Sequence, residues 1–322
     1  MGSIDLVTGA GGYTGAHVTR RLLAAGRQVR SLTREPSAVP GLVRAFPYRF
    51  DAPDEMEEAF HGVDTFFNTY WVRFGRGTFT HDDAVRNSLA LFECAARAGV
   101  RRVVHVSIMN PSRESPYSYH RGKAVVEDAL RTSGMEYAIV RPSVLFGGDE
   151  ILLNNVAWLC RHLHVFAVPG NGRYPIRPTH VEDLADLMVE LAAHPECVVR
   201  DAGGPETFEF GALVRWINAA VGARALVVDL PVTLVRPLVH LVDRITRDVT
   251  VHPEELAALM DGLASCDGPP AGPRRLTDAL LANGRELGAR YANEVRRNFD
   301  VAPLPSSTGT TATVTAAAAG GG

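Results

Sequence analysis

The chain has 322 residues, of which 46% are hydrophobic and 21% are charged, the composition of an ordinary soluble protein that can bury a core of good size. Its net charge of −3 gives no global electrostatic reason to expect a nucleic-acid partner. The four cysteines form no C-x-x-C pair, which argues against a disulfide framework or a zinc site and predicts a reducing, cytoplasmic location. The first residues lack the basic and long apolar segments of a secretory signal.

Short apolar runs alternate with helical patterns through the first 140 residues, as a parallel sheet flanked by helices requires. We predict strands at 4–7, 28–32, 45–50, 65–68, 102–107 and 137–140, and helices at 14–25, 54–61, 80–98 and 119–133. This order predicts an α/β fold, a doubly wound parallel sheet of the Rossmann type that binds its ligand at the carboxyl ends of its strands.

The pattern changes after Pro142. A helix is predicted at 151–162, and a helix at 181–193 with a strand at 198–201 returns to the earlier alternation. The predicted domains are a dinucleotide-binding domain at 1–145, to which 176–202 returns, a smaller and mostly helical substrate lobe at 146–175 and 203–303, and a disordered tail at 304–322.

The most apolar late stretch, 225–242, is interrupted by Asp229, Pro231, Arg236 and Pro237. These breaks make it too polar and too irregular to span a bilayer. We expect it to form a buried or partner-facing helix at 233–245, and we expect no membrane span in the chain.

The loop "TGAGGYTG" carries the spacing G-x-x-G-x-x-G at Gly9, Gly12 and Gly15, between the first strand and the first helix. The first glycine allows a tight turn, the second lets the backbone approach a pyrophosphate, and the third lets the helix pack on the strand. The helix N-terminus then faces the anion. We predict that these glycines, together with Tyr13 and Thr14, bind a dinucleotide.

The end of the second strand indicates which nicotinamide dinucleotide is bound. A site for NAD(H) has a carboxylate there to hold the ribose hydroxyls, but in this chain no carboxylate precedes Glu35. Arg34 would instead pair with a 2′-phosphate, which favours NADP(H) over NAD(H); the alternative is a solvated surface arginine. Asp51, after the third predicted strand, is expected either to meet the adenine amino group or to cap the helix near residue 54.

Tyr119 and Lys123 form the pattern Y-x-x-x-K, one helical turn apart on the same face. A lysine ammonium beside a phenol would lower the phenol's pKa from about 10 toward neutrality. Tyr119 is therefore predicted to act as the general acid or base while hydride moves to or from carbon, and Lys123 is predicted to hydrogen-bond the ribose as well. Tyr117 is an alternative phenol, but Arg121 stands where its lysine would be.

The sequence resembles the extended and atypical branch of the short-chain dehydrogenase/reductase superfamily, which includes the NAD-dependent epimerase/dehydratase and NmrA-like families. The resemblance covers residues 3–220 and rests on "TGAGGYTG", "FD", "GVRRVVHVS", "YSYHRGK", "IVRPSVLFG", "PTHVEDLA" and "AGGPETFEF". It implies a Rossmann domain with a C-terminal substrate lobe, and it implies that Pro142, Ser143 and Val144 lie beside the nicotinamide.

Two departures from the family pattern bear on the site. The fourth strand of the family ends in a small Ala-Gly pair beside the cofactor, whereas this chain has Asn68 and Thr69 followed by Tyr70 and Trp71. We expect Asn68 and Thr69 to contact the cofactor and the bulkier pair to reshape the pocket or to wall the substrate. The catalytic hydroxyl is assigned to Ser107, although one alignment puts Ile108 in its place.

The resemblance implies an NAD(P)(H)-dependent oxidoreductase that reduces a carbonyl, or oxidises an alcohol, on a small metabolite, with Tyr119, Lys123 and Ser107 as its catalytic residues. One alternative is a nucleotide-sugar epimerase or dehydratase with tightly bound NAD. Another is a non-catalytic NADP(H)-binding regulator or assembly subunit. A homodimer is a possible assembly, and no metal is expected, because His162 and His164 have no further ligands at metal-binding spacing.

Overall fold

Seven parallel strands form the central sheet of the computed structural model, which describes residues 3–75, 77, 79–148 and 150–298. The predicted tail at 304–322 lies outside the described residues. The strands are β1 (Ile4–Thr8), β2 (Gln28–Thr33), β3 (Arg44–Pro47), β4 (Val63–Asn68), β5 (Arg102–Val106), β6 (Glu136–Pro142), β7 (Leu145–Phe146), β8 (Val165–Pro169), β9 (Pro175–Ile176), β10 (Thr179–His180), β11 (Val198–Ala202), β12 (Phe208–Glu209) and β13 (Leu226–Leu230). The α-helices are α1 (Tyr13–Ala24), α2 (Pro53–Phe60), α3 (His81–Arg97), α4 (Ser118–Arg131), α5 (Leu152–His162), α6 (Val181–Ala193), α7 (Phe210–Ala220), α8 (Val232–Thr246), α9 (Pro253–Met260), α10 (Leu276–Asn283) and α11 (Glu294–Asn298).

The strand order of the sheet is β11-β6-β5-β4-β1-β2-β3. The chain winds from β1 outward to β3, then crosses to β4 and winds the other way, so the order reverses between β1 and β4. Helices α1 and α6 cover one face, and α2, α3 and α4 cover the other. The predicted doubly wound α/β fold is confirmed, and the reversal point is where such sheets bind ligands.

The strands are apolar on both faces because helices cover both. In β1, Leu6 packs into the core under α2, α3 and α4, while its neighbour Val7 packs under α1 and α6. In β4, Phe66 and Phe67 divide in the same way. Successive side chains of a strand point to opposite faces, so a sheet buried on both sides reads as a continuous apolar run.

The third strand ends earlier than predicted, at Pro47 rather than at residue 50. It is the edge strand of the sheet, and its partner β2 ends at Thr33, whose carbonyl accepts a hydrogen bond from Tyr48 N at 3.1 Å. The chain then leaves the sheet, and the rings of Tyr48 and Phe50 stack on each other and contact the ring of Tyr70 in the core. Asp51 therefore lies in the connection to α2 and not at a strand end.

The chain beyond β6 builds a second apolar core around α5 and α7. Three two-stranded sheets border it: β7 with β10, β9 with β12 and β8 with β13. In the chain between β10 and β12, α6 packs against α1, and β11 pairs with β6 at the edge of the large sheet. Among the described helices, none has both the length and the apolar content that crossing a bilayer requires.

Candidate active site

A continuous cavity of about 1430 Å³ crosses the carboxyl ends of the central strands. Residues at or just after the ends of β1, β2, β4, β5 and β6 line it, namely Thr8, Thr33, Thr69, Ser107 and Pro142. Its far wall comes from α5, β8, α8 and α9. The cavity therefore joins the reversal point of the sheet to the second core of the molecule.

The glycine loop forms the floor of one end of this cavity. Gly9 has a φ of +66°, which favours glycine, and its N–H donates to Leu32 O at 2.7 Å. A Cβ at Gly15 would lie 2.1 Å from the carbonyl oxygen of Gly9, so any other residue would push α1 away from β1. Gly12 is the N-cap residue of α1, and a Cβ there would lie 3.1 Å from the same oxygen. The loop thus keeps bare backbone against the cavity.

The N-terminus of α1 opens toward the same end of the cavity. No side chain caps it, and its first turn contains no acidic residue, so the positive end of the helix dipole is not neutralised there. Tyr13 and Thr14 both line the cavity, and the Tyr13 hydroxyl donates to Gly147 O at 2.5 Å. A pyrophosphate fits this arrangement, because it needs N–H donors and positive potential.

Of the two residues predicted for the adenosine end, the structure brings one to the cavity. Arg34 lines it directly after β2. Burial raises the pKa of the phenols of Tyr48 and Tyr70, and the charge of Arg34 acts in the opposite direction. Asp51 is not among the described lining residues; it is exposed and forms an ion pair with Arg49 at 3.5 Å. The early end of β3 explains that position.

Asn68 and Thr69 are both predicted to contact the cofactor, and the structure brings only Thr69 to the cavity. Thr69 lines the cavity, its N–H donates to Thr8 Oγ1 at 2.7 Å, and its hydroxyl donates to Thr8 O at 2.6 Å. Asn68 is fully buried beneath it, where its Oδ1 accepts from Tyr70 N at 3.0 Å and its Nδ2 lies 3.2 Å from His105 Nδ1. Asn68 therefore fixes the strand ends and does not line the cavity.

Tyr119 lies in the first turn of α4 and lines the middle of the cavity. The ring of Trp71 meets it edge-on at a centroid distance of 5.6 Å, and the ring of His81 does so at 5.4 Å. Burial, and secondarily the charge of Glu255, raises the pKa of the phenol above its usual value. At neutral pH Tyr119 is a protonated phenol that can donate a proton.

Lys123 has different neighbours from those that its spacing predicts. Its Nζ donates to Val106 O at 2.7 Å and lies 4.3 Å from the ring centroid of Trp71. Burial lowers the pKa of Lys123 to about 7, although the charge of Glu127 acts in the opposite direction. The structure thus differs from the expected ammonium-stabilised phenolate: both groups are buried, and burial disfavours the charged form of each.

Ser107 follows β5, and its N–H donates to Val140 O at 2.7 Å. Its Oγ is buried and has no hydrogen-bond partner among the described residues, although it belongs to a residue that lines the cavity. Ile108 lines the cavity too, so both residues considered for the catalytic position border it. Pro142 and Val144 lie on the same wall, where the resemblance implies the nicotinamide.

Sequence reasoning missed a charged cluster beside Tyr119. Arg73 Nε donates to Glu255 Oε1 at 2.6 Å, and Arg73 Nη1 donates to Glu294 Oε2 at 3.3 Å. Burial alone would lower the pKa of Arg73, but the two carboxylates outweigh it and raise it. The partners are 182 and 221 residues away from Arg73 in the chain, so no local motif announces them.

A second missed signal is compositional. The sequence has 33 lysines and arginines, and Lys123 is the only lysine among them. Gly122 beside it is also constrained, because a Cβ there would lie 3.2 Å from Trp71 Cη2 and 3.2 Å from Val85 Cγ2. A side chain at residue 122 would therefore require Trp71 and Val85 to shift by a few tenths of an ångström.

Among the described residues, no three His, Cys, Asp or Glu side chains lie together as metal ligands. Tyr117 also borders the cavity, but its hydroxyl donates to Asp261, and this hydrogen bond together with burial raises its pKa to about 12. Tyr119 is thus the phenol that the cavity leaves available for a substrate.

Comparison with known proteins gives one family match. The family model described as NAD(P)H-binding matches residues 9–195, which include the glycine loop, Arg34 and the Tyr119–Lys123 pair. The chain is 24% identical over 222 residues to the mitochondrial NADH dehydrogenase [ubiquinone] 1 alpha subcomplex subunit 9 of Arabidopsis thaliana, and this match covers 64% of the chain. It is 36% identical over 171 residues, or 44% of the chain, to sterol demethylase protein B of Methylococcus capsulatus. These matches span about half of each relative, 55% and 51%.

Solved structures share the fold over most of the chain. The triphenylmethane reductase of Citrobacter sp., complexed with NADP(H), has a TM-score of 0.71 at 15% identity and covers 88% of this chain and 99% of its own. A nucleoside-diphosphate-sugar epimerase from Staphylococcus aureus has a TM-score of 0.69 at 18% identity and covers 87% of this chain and 100% of its own. At these identities the likeness establishes the architecture alone.

Proposed function

The chain belongs to the NAD(P)H-binding family, and we propose that it is an oxidoreductase of the extended and atypical branch of the short-chain dehydrogenases/reductases that reduces a carbonyl group of an apolar small molecule. The observation that carries the proposal is the position of Tyr119. It lines the cavity between the glycine loop and a chamber of aliphatic side chains.

A bound nicotinamide dinucleotide would supply the hydride for this reaction or take it up in the reverse direction. In the proposal Gly9, Gly12 and Gly15 hold its pyrophosphate, and Thr69, Pro142 and Val144 border it. NADP(H) is favoured over NAD(H), since Arg34 lines the cavity at the end of β2. Asp51 is exposed and paired with Arg49. Its place in the structure therefore gives the proposed adenine contact less support than its place in the sequence does.

The residues around Tyr119 support the reducing direction. The phenol is held protonated by burial, so it can donate its proton to the oxygen of a carbonyl group. Ser107 has a buried hydroxyl with no partner among the described residues, and it can donate a second hydrogen bond to the same oxygen. Lys123 has a pKa of about 7, so its amine can gain or lose a proton near neutral pH.

The aliphatic chamber supports an apolar substrate. It is lined by side chains such as Leu152, Val156, Phe166, Val239 and Val242. Pockets with mainly apolar walls and a few convergent polar groups select ligands of the same character. We propose a ketone or quinone whose reacting oxygen meets Tyr119 and whose apolar body fills this chamber.

The same lining weighs against a nucleotide-sugar substrate, although an epimerase shares the fold. Among the described residues that line the cavity, the arginines and lysines are Arg34, Arg73 and Lys123. Arg34 is assigned to the cofactor, and Arg73 is bound by two carboxylates. Lys123 donates to Val106 O and lies over the ring of Trp71. Within the described part of the lining, each of these cations is therefore already engaged or assigned, which favours an apolar substrate over a sugar diphosphate.

A non-catalytic assembly subunit is the second candidate, because several relatives carry the name of an NADH dehydrogenase subunit. The proposed location is the cytoplasm, supported by the four free cysteines.

The decisive experiment compares Tyr119→Phe with its neighbour Tyr117→Phe. Wild-type protein is screened with NADPH against apolar ketones, quinones and nucleotide sugars, with NADPH absorbance as the readout. Tyr119→Phe should bind NADPH as the wild type does, while kcat falls by about 10²–10⁴. Tyr117→Phe should keep kcat within a few-fold, because its hydroxyl is committed to Asp261.

An unchanged rate in Tyr119→Phe would show the assignment of the general acid to be wrong. Tight NADPH binding without turnover of any compound in the panel would favour the assembly subunit.

A further inference from the structure

Helix α8 presents an exposed row of large aliphatic side chains. Leu234, Leu238, Leu241 and Ile245 are 55%, 47%, 57% and 70% exposed. At about 100° per residue these four positions fall within an arc of about 60° on the helix surface. Val235 is the only residue of this fully described helix that is buried. A contiguous exposed row of this kind marks a surface that contacts something apolar; we call it the leucine stripe.

The helix has a second stripe, which is basic. Arg236, His240 and Arg244 are all exposed and lie within an arc of about 80°, on the side of the helix away from Val235. The one acidic residue of α8, Asp243, accepts a hydrogen bond from the N–H of Thr250 at 2.8 Å. The exposed part of α8 thus carries an aliphatic stripe and a separate basic stripe with two arginines.

The leucine stripe borders the mouth of the cavity. Leu238 and Leu241 both line the cavity while about half of each side chain is exposed. Leu163 and Val165 do the same on the facing segment, with exposures of 39% and 47%. Val165 is paired in β8 with Leu226 of β13, whose side chain is 62% exposed. The aliphatic surface therefore continues from α8 across the entrance to the neighbouring strands.

From these observations we propose that α8 and the aliphatic rim of the cavity dock on the surface of an anionic lipid membrane. Interfacial helices combine a Leu-rich face, which enters the acyl boundary, with an Arg-rich face, which reaches the phosphates. Arginine stems can lie along the apolar surface while their guanidinium groups stay in the headgroup region. Docked in this way, the cavity opens directly onto the lipid from which an apolar compound would enter.

A second copy of this chain fits the same surface less well. In a two-fold dimer each patch meets an identical patch. Two copies joined through the leucine stripe would leave Arg236 and Arg244 on another side of the helix with no added negative charge, and α8 itself offers only Asp243. Anionic headgroups supply the missing negative charge.

The inference goes beyond the proposed function, and its test needs neither turnover nor a cofactor. Full-length protein is floated with phosphatidylcholine vesicles, with and without phosphatidylglycerol. Wild-type protein should bind the anionic vesicles, and increasing salt should weaken the binding. Leu234→Gln/Ile245→Gln changes two stripe residues that do not line the cavity, and it should weaken vesicle binding at least about a hundredfold, about tenfold for each buried side chain lost.

Two further variants complete the design. Leu42→Gln/Leu281→Gln changes two leucines elsewhere on the surface that are even more exposed, at 81% and 74%, and this variant should bind vesicles as the wild type does. Arg236→Gln/Arg244→Gln should weaken binding to anionic vesicles about fivefold per arginine and leave binding to neutral vesicles unchanged. Circular dichroism melting curves check that every variant is folded.

Three results would overturn the proposal. The first is wild-type protein that does not float with anionic vesicles. The second is a stripe variant that floats as the wild type does. The third is a wild-type dimer, seen by sedimentation velocity, that dissociates in Leu234→Gln/Ile245→Gln, which would assign the stripe to a second copy. NADPH binding, measured separately, reports on the proposed function and is expected to be the same in all of these variants.

Discussion

At the scale of single residues, the proposed choice between the two dinucleotides depends on Arg34. Charge-assisted hydrogen bonds to a 2′-phosphate are worth about 1.5–3 kcal/mol each. Arg34→Ala should therefore weaken NADPH binding about tenfold to a hundredfold and leave NADH binding nearly unchanged, as measured by calorimetry. Arg44→Ala on β3 is the matched control, since Arg44 is exposed, pairs with Glu58 and does not line the cavity. Equal affinities of the wild type for the two dinucleotides would contradict this prediction.

Lys123 offers a direct test of burial at the site, because it is the only lysine in the chain. In protein labelled with ¹³C-lysine, NMR should show a single lysine side chain that titrates near pH 7 instead of near 10.5. Lys123→Met identifies the signal by its disappearance. A titration above about pH 9 would mean that the ammonium is better solvated or better paired than its contacts with Val106 and Trp71 imply.

The same shift has a consequence for stability. The unfolded chain keeps this lysine protonated up to about pH 10.5, whereas the folded chain releases the proton near pH 7, so unfolding takes up a proton between these values. The free energy of unfolding of the wild type relative to Lys123→Met should therefore rise from about pH 7 to about pH 10 and stay level below about pH 6. Urea denaturation at a series of pH values measures the difference, and a difference that does not change with pH would contradict the expectation.

At the scale of elements, the unit that holds the pyrophosphate in our proposal is β1, the glycine loop and α1 together. Gly15→Ala puts a Cβ 2.1 Å from Gly9 O and 2.9 Å from Thr8 O, and because both are backbone atoms the helix must move away from the strand. We expect overpacking to cost about 1–3 kcal/mol of unfolding free energy and dinucleotide affinity to fall at least about tenfold.

Gly41→Ala is the control for this change. Gly41 lies in the connection before β3, and nothing lies within 4 Å of its ideal Cβ position. The Gly41→Ala variant should match the wild type, within error, in dinucleotide affinity and in free energy of unfolding. If Gly15→Ala bound the dinucleotide with wild-type affinity, the close approach of α1 to β1 would not be what shapes the site.

Helix α4 shows what a motif predicts at this scale and what it leaves open. The spacing of Tyr119 and Lys123 predicts that they share a helix face, and both do line the cavity. The spacing does not predict that Trp71, from the loop after β4, lies over Lys123 and against Tyr119. Gly122 leaves room for this contact, and the reason for a glycine at this position becomes visible only once Trp71 is located.

At the scale of the whole molecule, Arg73 links the large sheet to the segments that close the cavity. It joins the loop after β4 to Glu255 of α9 and Glu294 of α11. Arg73→Met would leave two carboxylates together, one of them 6% exposed, and breaking such a pair typically costs about 3–5 kcal/mol. Guanidinium denaturation should show this loss, and the pKa of Tyr119 should rise further, because the charge of Arg73 lowers it.

Arg113→Met is the matched control. Arg113 lies in the connection before α4 and forms an exposed ion pair with Asp128 of that helix. Exposed pairs of this kind contribute at most about 1 kcal/mol. If Arg73→Met cost no more than Arg113→Met, the cluster would not be what holds α9 and α11 to the sheet.

The sequence by itself determined the fold class, the glycine loop and the Tyr119–Lys123 spacing, because strand and helix periodicity and turn glycines act over a few residues. The tertiary structure decided the rest. It ended β3 at Pro47 and so removed Asp51 from the cavity, it buried Asn68 beneath Thr69, and it gave Lys123 the carbonyl of Val106 as its partner. It also assembled the Arg73 cluster and left the leucine stripe of α8 exposed. Each of these outcomes depends on contacts between segments far apart in the chain, and packing, not local periodicity, sets which of them form.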